Sequence, residues 1–421
     1  MSLDLSIIRP QFPALRRPEI FLDNPGGTQM VRASLERIER CLVETNANHG
    51  GLFATSRKMD ETVAEARQAM ADFLHASRPE EIVFGANMTT LTYTISRALG
   101  KTFNKGDVIV VTHLDHDGNI APWLQLAEDR GCRVRWVDFH REDGTLDLED
   151  MQRAIAEKPR LVAVGYASNA LGSINPVGQI VEWAKAAGAL TYIDAVQYAP
   201  HAPIDVQALG CDFLVSSAYK FYGPHAGVLY GRYELLDSLP AYKVRPAPED
   251  PPDKFETGTG NFEAIAGMLG VLEYFEWLGQ TFGEEYYEPL AGRYSGRALR
   301  QKQAMHALQT YDQQLSSALL KTLQQVPGLK LYGILDEGRL AERVPTFSFT
   351  VPGFTPAEVA QRLGDEHIYV WNGNFYALEI ARQYGVEEQG GFVRVGAVHY
   401  NTMEEINRLG EALNVIVKGR K

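Results

Sequence analysis

Lys220 ends the run Phe213-Leu-Val-Ser-Ser-Ala-Tyr-Lys, and Tyr219 and Phe221 stand on either side of it. Aromatic walls disfavour a charged ammonium and lower its pKa, which makes a lysine a usable nucleophile and base. A lone lysine behind a strand is most often solvated. Here the preceding apolar run, Leu190-Thr-Tyr-Ile, ends in Asp194 with Gln197 close behind, so carboxylate and amine can meet at adjacent strand ends. A third group follows the run Ile82 to Gly85, where Asn87-Met88-Thr89-Thr90 opens a helical pattern. Free N–H groups and the dipole at a helix start attract phosphate, and threonine hydroxyls add donors, although plain N-capping by Asn87 is the simpler use of these residues. A lysine, a carboxylate and a phosphate-binding helix start at one crevice together suggest pyridoxal phosphate, with Lys220 as the Schiff-base lysine and Asp194 on the pyridine nitrogen.

Two other chemistries compete. The loop His113-Leu114-Asp115-His116-Asp117-Gly118-Asn119 carries two histidines and two carboxylates, the donor types of a metal-dependent hydrolase using His113 and His116. The remaining histidines are scattered singly, so the ligand set is incomplete and the expectation is no metal. The alternative is one histidine stacked on an aromatic ligand while the acids cap the next helix. A nicotinamide site would need a glycine fingerprint, but Gly258-Thr259-Gly260 has Glu263 where the third glycine belongs and follows no predicted strand.

These residues need a scaffold. Short apolar runs at residues 82–84, 107–112, 133–138, 161–166, 190–193, 213–215 and 228–230 alternate with amphipathic stretches at 120–129, 148–157 and 180–187. Runs such as VIVV and LVAV are apolar on both faces, which predicts a mostly parallel, seven-stranded sheet between helices, an α/β domain. Five prolines between residues 239 and 256 predict an extended segment closing that domain. Long helical patterns run over 262–325. The strands FSFTV and FVRVGAV follow, with helices opened by the capping boxes Thr355-x-x-Glu358 and Thr402-x-x-Glu405. The expected division is a large domain over 18–260, a connecting helix over 261–290, and a smaller α+β C-terminal domain over 291–421 joined by 1–17.

A chain of 421 residues has room for these domains, and its net charge of −12 argues against nucleic acid. Three scattered cysteines, Cys41, Cys132 and Cys211, make no disulfide framework. With no signal-like or membrane-spanning apolar run, the expectation is a cytoplasmic protein that engages no membrane.

The stretch DAVQYAPHAPIDVQALGCDFLVSSAYKFYGPHAGVLYG, with LDNPGGTQ, HLDHDGNIAPW, ASNALGSINPV and GFVRVGAVHYNT, resembles the class V aminotransferase group of fold-type I pyridoxal-phosphate enzymes, in its cysteine-desulfurase-like branch. The resemblance covers nearly the whole chain. It implies Lys220 as the Schiff-base lysine, Asp194 on the pyridinium, and Asn169 and Gln197 on the phenolic oxygen. His116 would stack on the ring, Thr89, Thr90 and Ser217 would hold the phosphate, and Arg394 would bind the substrate carboxylate. Thr259 would reach the phosphate of a neighbouring subunit, which implies a homodimer with composite sites. The loop VWNGNFYAL departs from the family: Tyr376 stands where desulfurases carry the persulfide cysteine, Trp371 replaces a common arginine, and Tyr219 replaces the histidine before the lysine. The expected reaction is therefore carbon–sulfur cleavage by β-elimination without an enzyme persulfide. Transamination and epimerisation are the alternatives.

Overall fold

The computed structural model describes residues 3–419, so residues 1–2 and 420–421 of the expected small domain lie outside the described residues. Its larger sheet contains β1 (Ile82–Gly85), β2 (Val108–Thr112), β3 (Arg133–Val137), β4 (Leu161–Gly165), β5 (Leu190–Asp194), β6 (Phe213–Ser217) and β7 (Gly227–Gly231). The order is β1-β7-β6-β5-β4-β2-β3. Neighbours from β3 through β6 pair in parallel, and β7 runs antiparallel to both β1 and β6. This is the expected α/β sheet. Its doubly apolar strands explain themselves: Val110, Val162 and Val164 enter one hydrophobic core, while Ile109, Val111, Leu161 and Ala163 enter the core on the other face.

The N-terminal quarter holds two helices that the sequence reading did not mark, α1 (Arg32–Glu44) and α2 (Ala54–Leu74). Met59, Ala66, Met70, Phe73 and Leu74 form the buried stripe of α2 at helical spacing. The apolar helix α4 (Phe262–Phe282), which follows α3 (Met88–Gly100) in the numbering used here, packs against α1, α2 and α5 (Gly296–Gln324). Being covered on several sides, α4 is apolar around most of its circumference. The proline-rich segment between Ser238 and Phe262 contains neither helix nor strand, as expected, but it bends through turns instead of running extended. It is fastened to the large sheet: Glu256 accepts from Arg67 and from the Phe84 N–H at 2.7 Å, and Lys254 donates to the Asp237 carbonyl at 2.6 Å.

A second, antiparallel sheet has the order β8 (Lys330–Tyr332), β9 (Thr346–Thr350), β11 (Phe392–Gly396) and β10 (Trp371–Gly373). Both capping boxes form, opening helices Pro356–Asp365 and Met403–Lys418. A separate core of Leu315, Leu319, Phe347, Phe349, Val393 and Leu409 lies between this sheet and its helices. The short strand Ile20–Phe21 pairs in parallel with Ile368–Tyr369, which brings the N-terminal segment alongside this sheet before it enters the crevice.

Close helix packing generates a stability test. A Cβ on Gly279 of α4 would lie 1.8 Å from the Arg300 carbonyl oxygen of α5, whereas one on Gly364 would meet open space. Gly279→Ala should cost about 1–3 kcal/mol by forcing the helices apart. Gly364→Ala should be neutral or stabilise by up to about 1 kcal/mol. Urea denaturation of both variants measures the contrast.

Candidate active site

The carboxyl ends of the parallel strands open on one crevice, where open α/β sheets gather ligands at the point at which strand order reverses. That point lies between β2 and β4. From β2 the chain crosses outward to β3 and returns to β4 on the other side of β2, so the loops bearing His116 and Asn169 diverge there.

Lys220 closes a short 3-10 turn immediately after β6, and its Nζ donates to the Pro25 carbonyl. The Tyr219 ring lies 5.0 Å from the ammonium. Lys220 keeps partial solvent access at the crevice, yet protein packs around the amine on most sides. This burial, with the Arg394 guanidinium in second place, pushes the ammonium down to about 7 against the opposite pull of Asp194 and Asp23. Asp194 ends β5 in full burial, which raises its carboxyl to about 6 despite a 2.9 Å hydrogen bond from the Val196 N–H and the attraction of Lys220. A buried carboxylate held this high is a site for a cationic ring nitrogen.

His116 accepts a 2.9 Å hydrogen bond from the Gly118 N–H at Nδ1. Burial first, then the charges of Lys220 and Arg394, hold the imidazole down to about 4. It is a neutral ring with its remaining proton on Nε2, suited to stacking on an aromatic ligand. Its neighbour Asp115 is buried further in and rises to about 8, chiefly through desolvation, while accepting from the Gly165 N–H at 2.7 Å and from Asn119 Nδ2 at 3.0 Å.

Arg394 projects from β11, which belongs to the second sheet, and its guanidinium lies 4.3 Å from the Phe375 ring. Nη1 donates to the Asn169 carbonyl at 2.9 Å. Burial lowers this guanidinium to about 9, opposed by Asp23 and Tyr219. Asn169 donates from Nδ2 to the Phe375 carbonyl at 2.9 Å, and Gln197 donates from Nε2 to Thr346 Oγ1 at 3.1 Å. Three buried polar atoms in this crevice, Arg394 Nε, Asn169 Oδ1 and Asp23 Oδ1, have no hydrogen-bond partner among the described residues. Buried polar groups are seldom left so, and here both donors and acceptors await a polar ligand.

At the start of α3, Asn87 is the cap: its Oδ1 accepts from the Thr90 N–H at 2.9 Å and from the Thr90 hydroxyl at 3.1 Å. Ser217 Oγ accepts from the Met88 N–H at 3.0 Å, while the Thr89 hydroxyl meets only the Met88 thioether, a weak acceptor. Capping and anion binding therefore share these residues, with Thr89 the freer of the two threonines. Gly227 makes the approach possible, because a Cβ there would lie 2.5 Å from the Asn87 backbone.

Tyr376 and Trp371 stand at the mouth, 72% and 53% exposed. The Tyr376 ring centroid is 5.6 Å from that of His116, and its carbonyl accepts from the Asp117 N–H at 2.7 Å. Phe375 and Tyr376 both adopt positive φ, of 59° and 58°, a costly conformation for bulky residues that those backbone contacts hold in place. Thr259 is exposed on the loop before α4. His113 is engaged elsewhere: its ring is tilted against Trp136 at 4.6 Å and lies 3.5 Å from Glu379 and 3.7 Å from Asp138. Among the described residues no group of three or more His, Cys, Asp or Glu side chains is placed to hold a metal ion.

The sequence reading missed Asp23, Pro25 and Asp115 as parts of this site. The signal for the first two was the loop Leu22-Asp-Asn-Pro-Gly-Gly, whose glycines lie against Arg394 and Tyr219.

The sequence profile described as "Aminotransferase class-V" matches residues 20–295 and 295–409. A cysteine desulfurase of Synechococcus elongatus is 30% identical over all of this chain, which spans 64% of that protein's length. The aminotransferase-like protein FGM3 of Gibberella zeae is 32% identical, with 99% of each chain covered. The apo structure of a cysteine desulfurase from Thermococcus onnurineus superposes with a TM-score of 0.86 at 28% identity, covering 100% of both chains.

The depressed ammonium of Lys220 is directly measurable. In protein freed of small ligands, reductive methylation of Lys220 followed by mass spectrometry should rise through a midpoint at about pH 7. A midpoint near the ordinary lysine value of about 10.4 would contradict the burial argument.

Proposed function

The chain belongs to the class V aminotransferase family and is a pyridoxal-phosphate-dependent enzyme, and from that premise we propose that it is a carbon–sulfur lyase acting on an amino acid by β-elimination, without a persulfide on the enzyme. The observation that carries this reading is the loop over the crevice. Its Tyr376 ring lies beside His116, which supports the reading that a tyrosine stands at the position of a desulfurase's thiol, and no cysteine follows Cys211 in the chain.

The buried polar atoms without partners and the donor set around them fit the cofactor. Lys220 would carry it, Asp194 would face its ring nitrogen, and His116 would cover its ring. Asn169 and Gln197 would address its phenolic oxygen, and Thr89, Thr90 and Ser217 its phosphate. When bound, pyridoxal phosphate supplies an electron sink for charge left at the substrate's α-carbon. Arg394 receives the substrate carboxylate through a bidentate pair, using the donor that is otherwise unpaired. Lys220, pushed down to about 7, takes the α-proton near neutrality, where both its protonation states are populated. With cysteine as substrate the sulfur would leave, with a proton, as hydrogen sulfide, and water would convert the released enamine to pyruvate and ammonium. Transamination and epimerisation would use the same lysine and differ in where the proton returns. The hydrolase reading is set aside because His113 pairs with Glu379 and Asp138 while His116 is tied to Gly118.

The same reading divides the chain into a cofactor domain, a connecting helix and a smaller domain, and makes the enzyme a homodimer. Its support is an apolar patch of Leu42, Val43, Leu52 and Phe53 at the α1–α2 turn, with Leu52 92% exposed. His49 of that turn touches Phe262, near the exposed Thr259. No helix of the described residues is long and apolar enough to cross a membrane.

Incubation with cysteine and with cystine, followed by assays for pyruvate and alanine, tests the reaction. Pyruvate without alanine is expected; alanine would mean desulfuration despite Tyr376, and neither product would favour transamination or epimerisation of another amino acid. The double substitution Leu52→Glu with Phe53→Glu should convert the dimer to monomer in light scattering and reduce turnover with it. A variant that remains dimeric would remove this patch from the interface.

A further inference from the structure

Beneath the crevice lies a polar cluster that the chemistry above leaves unused. His399 follows β11 and is 1% exposed, with a phenol on each ring nitrogen. The hydroxyl of Tyr222 donates to the Pro200 carbonyl at 3.3 Å, so its oxygen must accept from His399 Nδ1 at 2.9 Å. The proton therefore sits on Nδ1, and Nε2 accepts from the Tyr274 hydroxyl at 2.6 Å. A neutral imidazole satisfies all three contacts in this one tautomer. Phe12 presents its ring to Tyr222, Tyr274, His399 and Tyr400 at 4.8 to 5.7 Å and helps to keep the cluster dry. A second titratable pair faces it, His201 with Asp312, 2.6 Å apart. Burial, with a smaller push from His201, holds His399 down to about 3.

The places from which these partners come give the cluster its meaning. Pro200 lies on the loop after Asp194, Tyr222 on the turn after Lys220, and His399 just beyond the strand that carries Arg394. Resting on the reading of the site above, we propose that His399 is a positioning residue for the reaction: one buried imidazole ties together the three segments that bear Asp194, Lys220 and Arg394. Tyr222 needs such a tie. It holds a φ of +72°, in the left-handed region that a tyrosine adopts only when its surroundings impose it. Its backbone is clamped from one side, where Thr28 Oγ1 accepts from the Tyr222 N–H at 2.8 Å and the Val31 N–H donates to the Tyr222 carbonyl at 3.0 Å. The Thr28 N–H and hydroxyl both donate to the Tyr219 carbonyl, at 2.9 and 3.1 Å. The His399 cluster holds the ring end of the same turn, so Lys220 is fixed between two anchors. Loosening one of them would move the amine relative to the charges that face it, which are Asp194, Asp23 and Arg394.

The test uses the holoenzyme and its variant His399→Phe, which keeps an aromatic ring and removes both polar contacts. Expected are a kcat lower by about tenfold, a KM within about twofold of wild type, and a shift of about half a unit or more in the pH midpoint of the absorbance of the lysine-bound cofactor. Tyr222→Phe should move the same midpoint in the same direction. A His399→Phe protein with a lower thermal midpoint but unchanged kcat and absorbance titration would show a purely structural role and overturn the proposal. If that variant does not fold, Tyr222→Phe and Tyr274→Phe each remove one hydroxyl at nearly constant volume, and wild-type titrations in both would overturn it equally. A wild-type protein lacking any lysine-bound absorbance would instead bring down the reading of the site itself.

Discussion

Dehydration of charge governs this crevice. Lys220, Asp194, Asp115, His116 and Arg394 come from four segments, and for every one of them burial is the largest influence on protonation. Each is displaced towards its neutral form: at His116 the neighbouring cations reinforce burial, while at Lys220 and Arg394 the carboxylates oppose it. A site of this kind stays assembled only if its charges balance, which is why the unanticipated Asp23 matters beside Lys220 and Arg394. An anionic cofactor and a zwitterionic substrate complete a balance that the protein leaves open.

The second requirement is that both sheets hold still relative to each other. The loop after β4 meets it through buried contacts to the second sheet. Arg343, 4% exposed, donates to the carbonyls of Leu171, Ile334 and Thr346 while stacking on Phe347 at 3.4 Å. The Ser348 hydroxyl donates to the Ala170 carbonyl at 2.7 Å, and the Val344 N–H donates to the Gly172 carbonyl at 2.9 Å. Asn169, at the centre of this seam, binds Phe375 with its side chain and Arg394 with its carbonyl. Arg394 and the loop bearing Asn169 thus share one rigid support, although they stem from different sheets.

Much of this was legible in the residues, and the boundary of legibility has physical reasons. Most of the large-sheet strands were readable because burial on both faces demands apolar runs, the partly exposed edge strand β3 with its two arginines being the exception, and both capping boxes because their hydrogen bonds are local. Lys220, Asp194 and His116 were findable because strand ends in such a sheet converge. The helices α1 and α2 went unmarked although α2 carries a regular buried stripe, since the chain before residue 80 offers no alternation with strands to frame it. Asp23, Pro25 and the His399 cluster went unassigned for another reason: their partners lie more than a hundred positions away, and although the loop from Leu22 to Gly27 carries a signal, no local pattern records which residues it will meet. The use of Asn87 as cap, which occupies Thr90, was a choice between two readings that only the geometry could decide.

The strand Ile20–Phe21, paired with Ile368–Tyr369, leads directly into the wall of the crevice at Asp23 to Thr28. Nearly the whole chain thus separates the two strands of one small sheet. Contacts of such sequence separation form late, because the loop they close must first lose its freedom. On the ribosome, the N-terminal segment has emerged long before its partner strand exists. The floor under Lys220 therefore remains unfinished until Ile368–Tyr369 has been made, and capture of the cofactor in its final geometry waits for a strand that lies 348 positions beyond the segment it pairs with.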